Sequence, residues 1–511
     1  MGSRRLLALL VLGLVSAAAC GGSAAQREAL EVQSEAAGQA APAAGNATAG
    51  ATDYGSATPE AATPGGATSA ASGGGATSAN PSAASGSAPA AKTGTQGAAP
   101  KAGQAASGGP SSAASPTPGE AAPAPVAPKP GAATGGATDE GVTANSIKVG
   151  HIGIYSGPVG SFGDDLSYAG RAVLQSINDA GGINGRKLEV LVRDDAWDGT
   201  KGMNAARDLV ERQKVFAICC IMSVNTSDPL TPYLDEKKVP HVGADGWGEP
   251  QYKGEWTFPV SASAVTEAHM LAKYQAEKQG AKRIAILYIN NPTGQAFVKA
   301  YDQVIRKFGG EVVFSQPATF DDPGTTTFIA QARTENIDTI STYLDPGIFA
   351  RMVREAAAQN YKPKNAFSGA AGLYFGVTPN FTGPHAEGTI AATHWVTTDT
   401  DTPGVRAYKA LVEKYYPKID HSTWTKAGYV GASIFGQTLK ALGLNVTRQG
   451  VKDYMDQVTN YDSTLGPTLS WSPGKHRANK TIYLAQIQRS GDKFEYKYLA
   501  GPLVDEYAES Q

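Results

Sequence analysis

The pattern of apolar and polar positions changes character near residue 140. Beyond it, short apolar runs alternate with segments of helical period. Residues 147–154 form an apolar run that predicts a buried strand. After the turn Gly157-Pro-Val-Gly-Ser-Phe-Gly163, the side chains of Leu166, Ala169, Ala172, Val173 and Ile177 fall on one face of a helix. Residues 188–193 predict the next strand, 202–213 a helix, 215–221 a strand, 226–236 a short helix and 239–243 a strand. The pattern then restarts, with helices predicted over 265–279, 295–308, 325–334 and 347–359. Strands are predicted between them over 283–289, 311–315 and 337–342. Helices over 405–415, 425–442 and 449–457 follow, then strands near Leu469 and over 482–488 and 494–499. Repeated strand–helix units of this kind predict an α/β fold of parallel sheets with helices on both faces. The restart predicts two doubly wound lobes, and a tail that can serve both predicts a cleft between them.

Before residue 140 no such period exists. Residues 23–138 are mostly Ala, Gly, Ser, Thr and Pro, with too few large apolar side chains to offset the entropy of ordering the chain. Residues 21–140 are therefore expected to be a disordered linker, with a root-mean-square span of about 60 Å for about 115 residues. The chain opens with Ser3, Arg4 and Arg5, followed by an apolar run from Leu6 to Ala19. That run is too short for the roughly 20 residues a membrane span needs, and it fits the apolar region of a signal peptide over residues 1–20. It ends in Ala17-Ala18-Ala19-Cys20 before Gly21-Gly22, which resembles a bacterial lipobox, with Ala17 where Leu is usual. Cys20 is thus the expected lipidation site, placing the protein on the extracytoplasmic face of a cell membrane.

The 511 residues carry a formal net charge of −2, which gives no drive toward nucleic acid or an anionic membrane. Cys219 and Cys220 are adjacent in an apolar run and are expected to be two small buried hydrophobes, because neighbouring cysteines bridge only with a distorted backbone. The Gly157–Gly163 turn lacks both a P-loop ending and the spacing of a dinucleotide fingerprint, so it is expected to face a ligand at a strand end rather than cradle phosphate. No G-x-S-x-G or H-E-x-x-H appears, and the seven histidines show no ligand spacing. No metal or cofactor is expected.

Three motifs in order, Ile152-Gly-Ile-Tyr-Ser-Gly-Pro-Val159, Gly181-Gly-Ile-Asn-Gly-Arg-Lys187 and Val192-Arg-Asp-Asp195, resemble the type I periplasmic binding proteins. The leucine/isoleucine/valine-binding branch of ABC-importer receptors is the most similar. The resemblance covers about residues 143–505. It implies two lobes joined by three crossing strands, near residues 259–263, 393–396 and 466–471. Lobe 1 is then about 143–260 and 395–462, and lobe 2 about 263–393 and 468–511. It also implies a non-enzymatic, monomeric receptor whose partners are a small-molecule ligand and an importer permease.

The family's site transfers unevenly. The hydroxyl that grips a ligand carboxylate matches Ser223, with Asn225 and Thr226 at the same helix start, where free N–H groups favour an anion. The first-loop aromatic matches Phe162. The threonine of the second strand falls at Gly246, and the acid that pairs with the ligand ammonium falls at Ala371. The aromatics of lobe 2 fall near Thr293 and Asp345. Either Asp245 or Asp345 then supplies the missing charge, or the ligand is not an α-amino acid, since an unpaired buried ammonium costs several kcal/mol. Trp247, Tyr343, Tyr374 and Phe375 lie in segments suited to stacking on a ligand or to plain core packing. Two other readings remain: a ligand sensor of the same fold, and an enzyme using Asp195, Asp245 or Asp345.

Overall fold

The computed structural model describes residues 136–157 and 160–508. The expected signal peptide, Cys20 and the expected linker up to residue 135 lie outside the described residues.

Each lobe is built around one sheet with a strand order that repeats. In lobe 1 the strands are β1 (Ser146–Gly153), β2 (Lys187–Asp194), β3 (Ala217–Cys219), β4 (His241–Ala244) and β5 (Thr257–Pro259), all parallel in the order β2-β1-β3-β4-β5. In lobe 2, β6 (Arg283–Ile289), β7 (Glu311–Ala318), β8 (Thr339–Tyr343), β9 (Ser368–Gly369) and β10 (Ile390–Thr393) repeat that order in parallel as β7-β6-β8-β9-β10. Two long strands, β11 (Thr481–Ser490) and β12 (Lys493–Val504), extend the second sheet antiparallel at the β10 edge. In such sheets the chain leaves in opposite directions on either side of the first strand. A crevice opens there at the carboxyl ends of the strands. The two crevices, at β1/β3 and at β6/β8, face each other.

Helix starts carry sequence signals. In α1 (Gly160–Asp179) the apolar face packs under α10 (Thr423–Ala441). Asp198 caps α2 (Gly199–Arg207) by accepting from the Lys201 N–H at 2.9 Å. Ser223 stands at the cap position of α3 (Val224–Lys237). In lobe 2, α4 (Ala264–Tyr274) is capped by Ser263 and α5 (Pro292–Lys307) by Asn291. The lobe continues through α6 (Thr325–Thr334), α7 (Pro346–Ala358) and α8 (Val377–Thr382). The chain then returns to lobe 1 for α9 (Pro403–Tyr415), α10 and α11 (Arg448–Met455). A Cβ on Gly243 would lie 2.7 Å from the Gly431 Cα, so only glycine allows α10 to lie this close to β4.

The chain passes between the lobes after β5, after β10 and again before β11. The Trp471 indole N–H donates to the Pro259 carbonyl at 3.0 Å, and the Val396 N–H donates to the Leu465 carbonyl at 2.9 Å. The three passages are thus bonded to one another, so the lobes share one hinge.

One expectation is corrected. Cys219 and Cys220 are joined in a disulfide. The strand ends at Cys219 and Cys220 turns to a φ of 66°, so the two side chains no longer alternate as they would within a strand.

Candidate functional site

The strand ends of both lobes meet around a cavity of about 50 Å³. That is room for a few waters and well below the roughly 300–1,000 Å³ of most small-molecule sites, so the lobes lie close together. The walls are near mirror images in chain order. Ile154 follows β1 and Ile289 ends β6; Trp197 follows β2 and Phe320 follows β7. Met222 and Val224 follow β3, while Leu344 and Asp345 follow β8. Asp245 and Trp247 follow β4; Gly372 and Phe375 follow β9. Trp424, in the first turn of α10, closes one side.

The lining is apolar except for two carboxylates. Asp245 is 2% exposed, and burial pushes its carboxyl up to about 7, with the neighbouring Asp228 charge adding to the effect. Asp228 is itself pushed up to about 6 by burial. Asp345 spends one oxygen on α7, accepting from the Gly347 N–H at 2.7 Å and the Ile348 N–H at 3.3 Å. Its other oxygen is buried with no hydrogen-bond partner, and burial raises this carboxyl as well. Among the described residues, no Lys, Arg or His lines the cavity.

A third carboxylate lies behind the wall and is fully used. Glu267, on α4 of lobe 2, accepts from the Trp247 indole N–H at 3.0 Å and from the Ala371 N–H at 3.3 Å, and it pairs with His394 Nε2. Trp247 belongs to lobe 1, so its bond to Glu267 crosses between the lobes. The Trp247 ring also packs against Tyr343 and Trp424, at 4.6 and 4.8 Å between centroids.

Of the residues expected from sequence to form the site or stack in it, Asp245, Trp247, Asp345 and Phe375 reach the cavity wall. The others are held elsewhere. Ser223 is fully buried at the start of α3, where its hydroxyl makes no cap bond and turns to Thr226, whose hydroxyl donates to Asp195 at 2.6 Å. The expected anion grip therefore already faces a protein carboxylate, one that burial raises. Asn225 spends its side chain on the Trp197 carbonyl. Gly246 has a φ of 69° and packs against Pro259 and Tyr252. Thr293 is buried in the first turn of α5, and Tyr343 stands behind Trp247. Tyr374 lies by the hinge, under the Lys426 ammonium and hydrogen-bonded to Thr398. Phe162 falls in the first turn of α1, and its side chain lies outside what is described. Asp194 and Asp195 accept backbone N–H groups of the turn that follows them, as a capping pair should.

Trp197, Phe320, Trp424 and Glu267 are site residues that sequence reasoning missed. For Trp197 and Phe320 a signal existed: each is an aromatic two or three positions past the carboxyl end of a strand beside the switch point.

Two doubly wound lobes on one hinge, with an apolar cavity at their facing switch points, define a bilobed solute-binding protein. Residues 146–493 match the family profile described as periplasmic binding protein, and the chain belongs to that family. The Leu/Ile/Val-binding protein of Escherichia coli (strain K12) is 27% identical over 331 residues, covering 64% of this chain and 87% of the relative. Among solved structures, a branched-chain amino acid ABC transporter protein from Thermus thermophilus with bound valine is similar at a TM-score of 0.64 and 17% identity, covering 73% of this chain and 99% of that one. A solute-binding protein of an ABC transporter from R. palustris in complex with benzoate is similar at 0.62 and 20% identity, covering 71% and 98%. Such identities speak for the fold. Among the described residues, no helix is long and apolar enough to cross a membrane, and no group of three or more His, Cys, Asp or Glu side chains is placed to hold a metal.

Proposed function

We propose that the protein is the extracytoplasmic receptor of an ABC importer, which closes its lobes on a small solute and presents it to a permease. The observation that carries this reading is the cavity at the facing switch points, walled by both lobes and spanned by the Trp247–Glu267 bond. A contact made only when the lobes are together favours the closed form, and a solute touching both walls shifts the population the same way. Cys20 serves as the lipid anchor and the Ala/Gly/Ser/Thr/Pro-rich segment as the tether that lets the receptor reach its permease.

The purified full chain should show a saturable thermal shift, and a smaller radius of gyration in solution scattering, with at least one member of a panel of amino acids, amides, aromatic acids, polyols and amines. If no member produces either change, the receptor reading fails. In cells, Cys20→Ser should release the chain from the membrane fraction; a variant that stays bound removes the anchor.

A further inference from the structure

This inference rests on the receptor reading and concerns the solute. We propose that the cleft takes a compact organic cation without a carboxylate, a primary amine or a quaternary ammonium, its charge set against Asp245 and Asp345 and its apolar body against the rings of Trp197, Trp247 and Trp424.

Charge decides first. The only charged side chains on the described walls are Asp245 from lobe 1 and Asp345 from lobe 2. Arg351 eases the Asp345 charge from further along α7 without lining the cavity. Asp228 adds negative potential at Asp245. A buried carboxylate with no cation costs several kcal/mol, and Asp345 keeps a buried oxygen with no partner. A bound cation removes that cost on both walls at once. An anion would have to enter against the same two carboxylates.

The lining gives the second argument. Aromatic faces carry negative charge density and attract cations, most strongly on tryptophan. Three of the six tryptophans line this one cavity. Trp247 is pinned by its bond to Glu267 and by its contact with Trp424, so its face is already oriented.

The third argument concerns the opposite end of an amino acid. The hydroxyl positions that would hold its carboxylate, Ser223 and Thr226, are turned toward Asp195. A zwitterion would therefore leave its anion unpaired, which works against that class of ligand.

The test uses the full chain, titrated calorimetrically with matched probes: choline against its neutral isostere 3,3-dimethyl-1-butanol, phenethylamine against phenylacetate, and L-leucine and benzoate as family-type ligands. The cations should bind at least 10-fold more tightly than their neutral or anionic partners. Asp245→Asn and Asp345→Asn, each checked for a parental melting profile near pH 4, should each weaken cation binding at least 10-fold. Binding of leucine or benzoate in preference to the cations would overturn the proposal and leave the receptor reading standing. So would cation binding that both variants retain in full. No binding or compaction with any probe would overturn both.

Discussion

The Trp247 ring separates two kinds of buried carboxylate. On one side Glu267 is completely employed: an indole N–H, a backbone N–H and an imidazole all converge on it. On the other side Asp245 and Asp345 stand at the cavity with no cation lining it beside them, and burial raises both. The fold needs the first group and tolerates the second. Charges that a fold tolerates without satisfying them sit where function is concentrated. The contrast separates what holds the lobes from what faces the solute.

The largest effect should come from breaking the satisfied side. Glu267→Ala leaves the Trp247 N–H, the Ala371 N–H and His394 without their acceptor in a fully buried site. Removing one member of such a network costs about 3–5 kcal/mol. Urea unfolding should show that loss in the midpoint. A loss below about 1 kcal/mol would mean that Glu267 is no scaffold, and the contrast would collapse.

Much of this arrangement is visible in the chain before folding. The apolar runs of β1 and β6 and the helical period of α9 and α10 are explicit. The restart of the pattern after β5 announces a second lobe. Asp245, Trp247 and Asp345 could be named because they directly follow the strand-like runs of β4 and β8. Other parts depend on packing that no local pattern encodes. Trp424 reaches the cavity from a helix more than 170 residues after Trp247, because α10 crosses back to lobe 1. Glu267 lies in a helix whose exposed and buried faces look alike in sequence, and nearly every residue of it is buried. Ser223 occupies the expected position, but the direction of its hydroxyl is set by Thr226 and Asp195, which meet it only in the fold. The Cys219–Cys220 disulfide depends on the left-handed turn at Cys220, which its residue type does not announce.

The second test acts on the unsatisfied side, and its sign is opposite. Asp245 faces Asp228 from α3, Tyr252 from the segment after β4 and Tyr343 from the end of β8, and none of these supplies a positive charge. With its carboxyl raised to about 7 in the folded chain, Asp245 keeps its proton between about pH 4 and 7 while the unfolded chain has lost it. The folded state therefore binds more protons in that window, and stability falls as pH rises through it. Asp245→Asn removes this loss. The variant should match the parent near pH 4 and exceed it at pH 8 by up to about 4 kcal/mol, as 1.36 kcal/mol per pKa unit implies. A variant less stable than the parent at pH 8, without added ligand, would place Asp245 with Glu267 as a structural acid.

The smallest effect concerns Asp345, which belongs to both groups. One oxygen caps α7 and the other is buried beside the cavity with no hydrogen-bond partner. A cap requires an acceptor but no charge, and Asn caps about as well as Asp. Asp345→Asn should therefore keep the cap and, because burial raises the Asp345 carboxyl, be no less stable than the parent at about pH 8, whereas Asp345→Ala, which deletes the acceptor, should lose about 1 kcal/mol relative to the Asn variant. Thermal melts of the two variants beside the parent measure the difference. If Asn costs as much as Ala, the charge itself serves the helix, through its dipole, and Asp345 moves to the structural side of the ring. If only Ala is destabilised, the fold uses the acceptor and leaves the charge to the cleft.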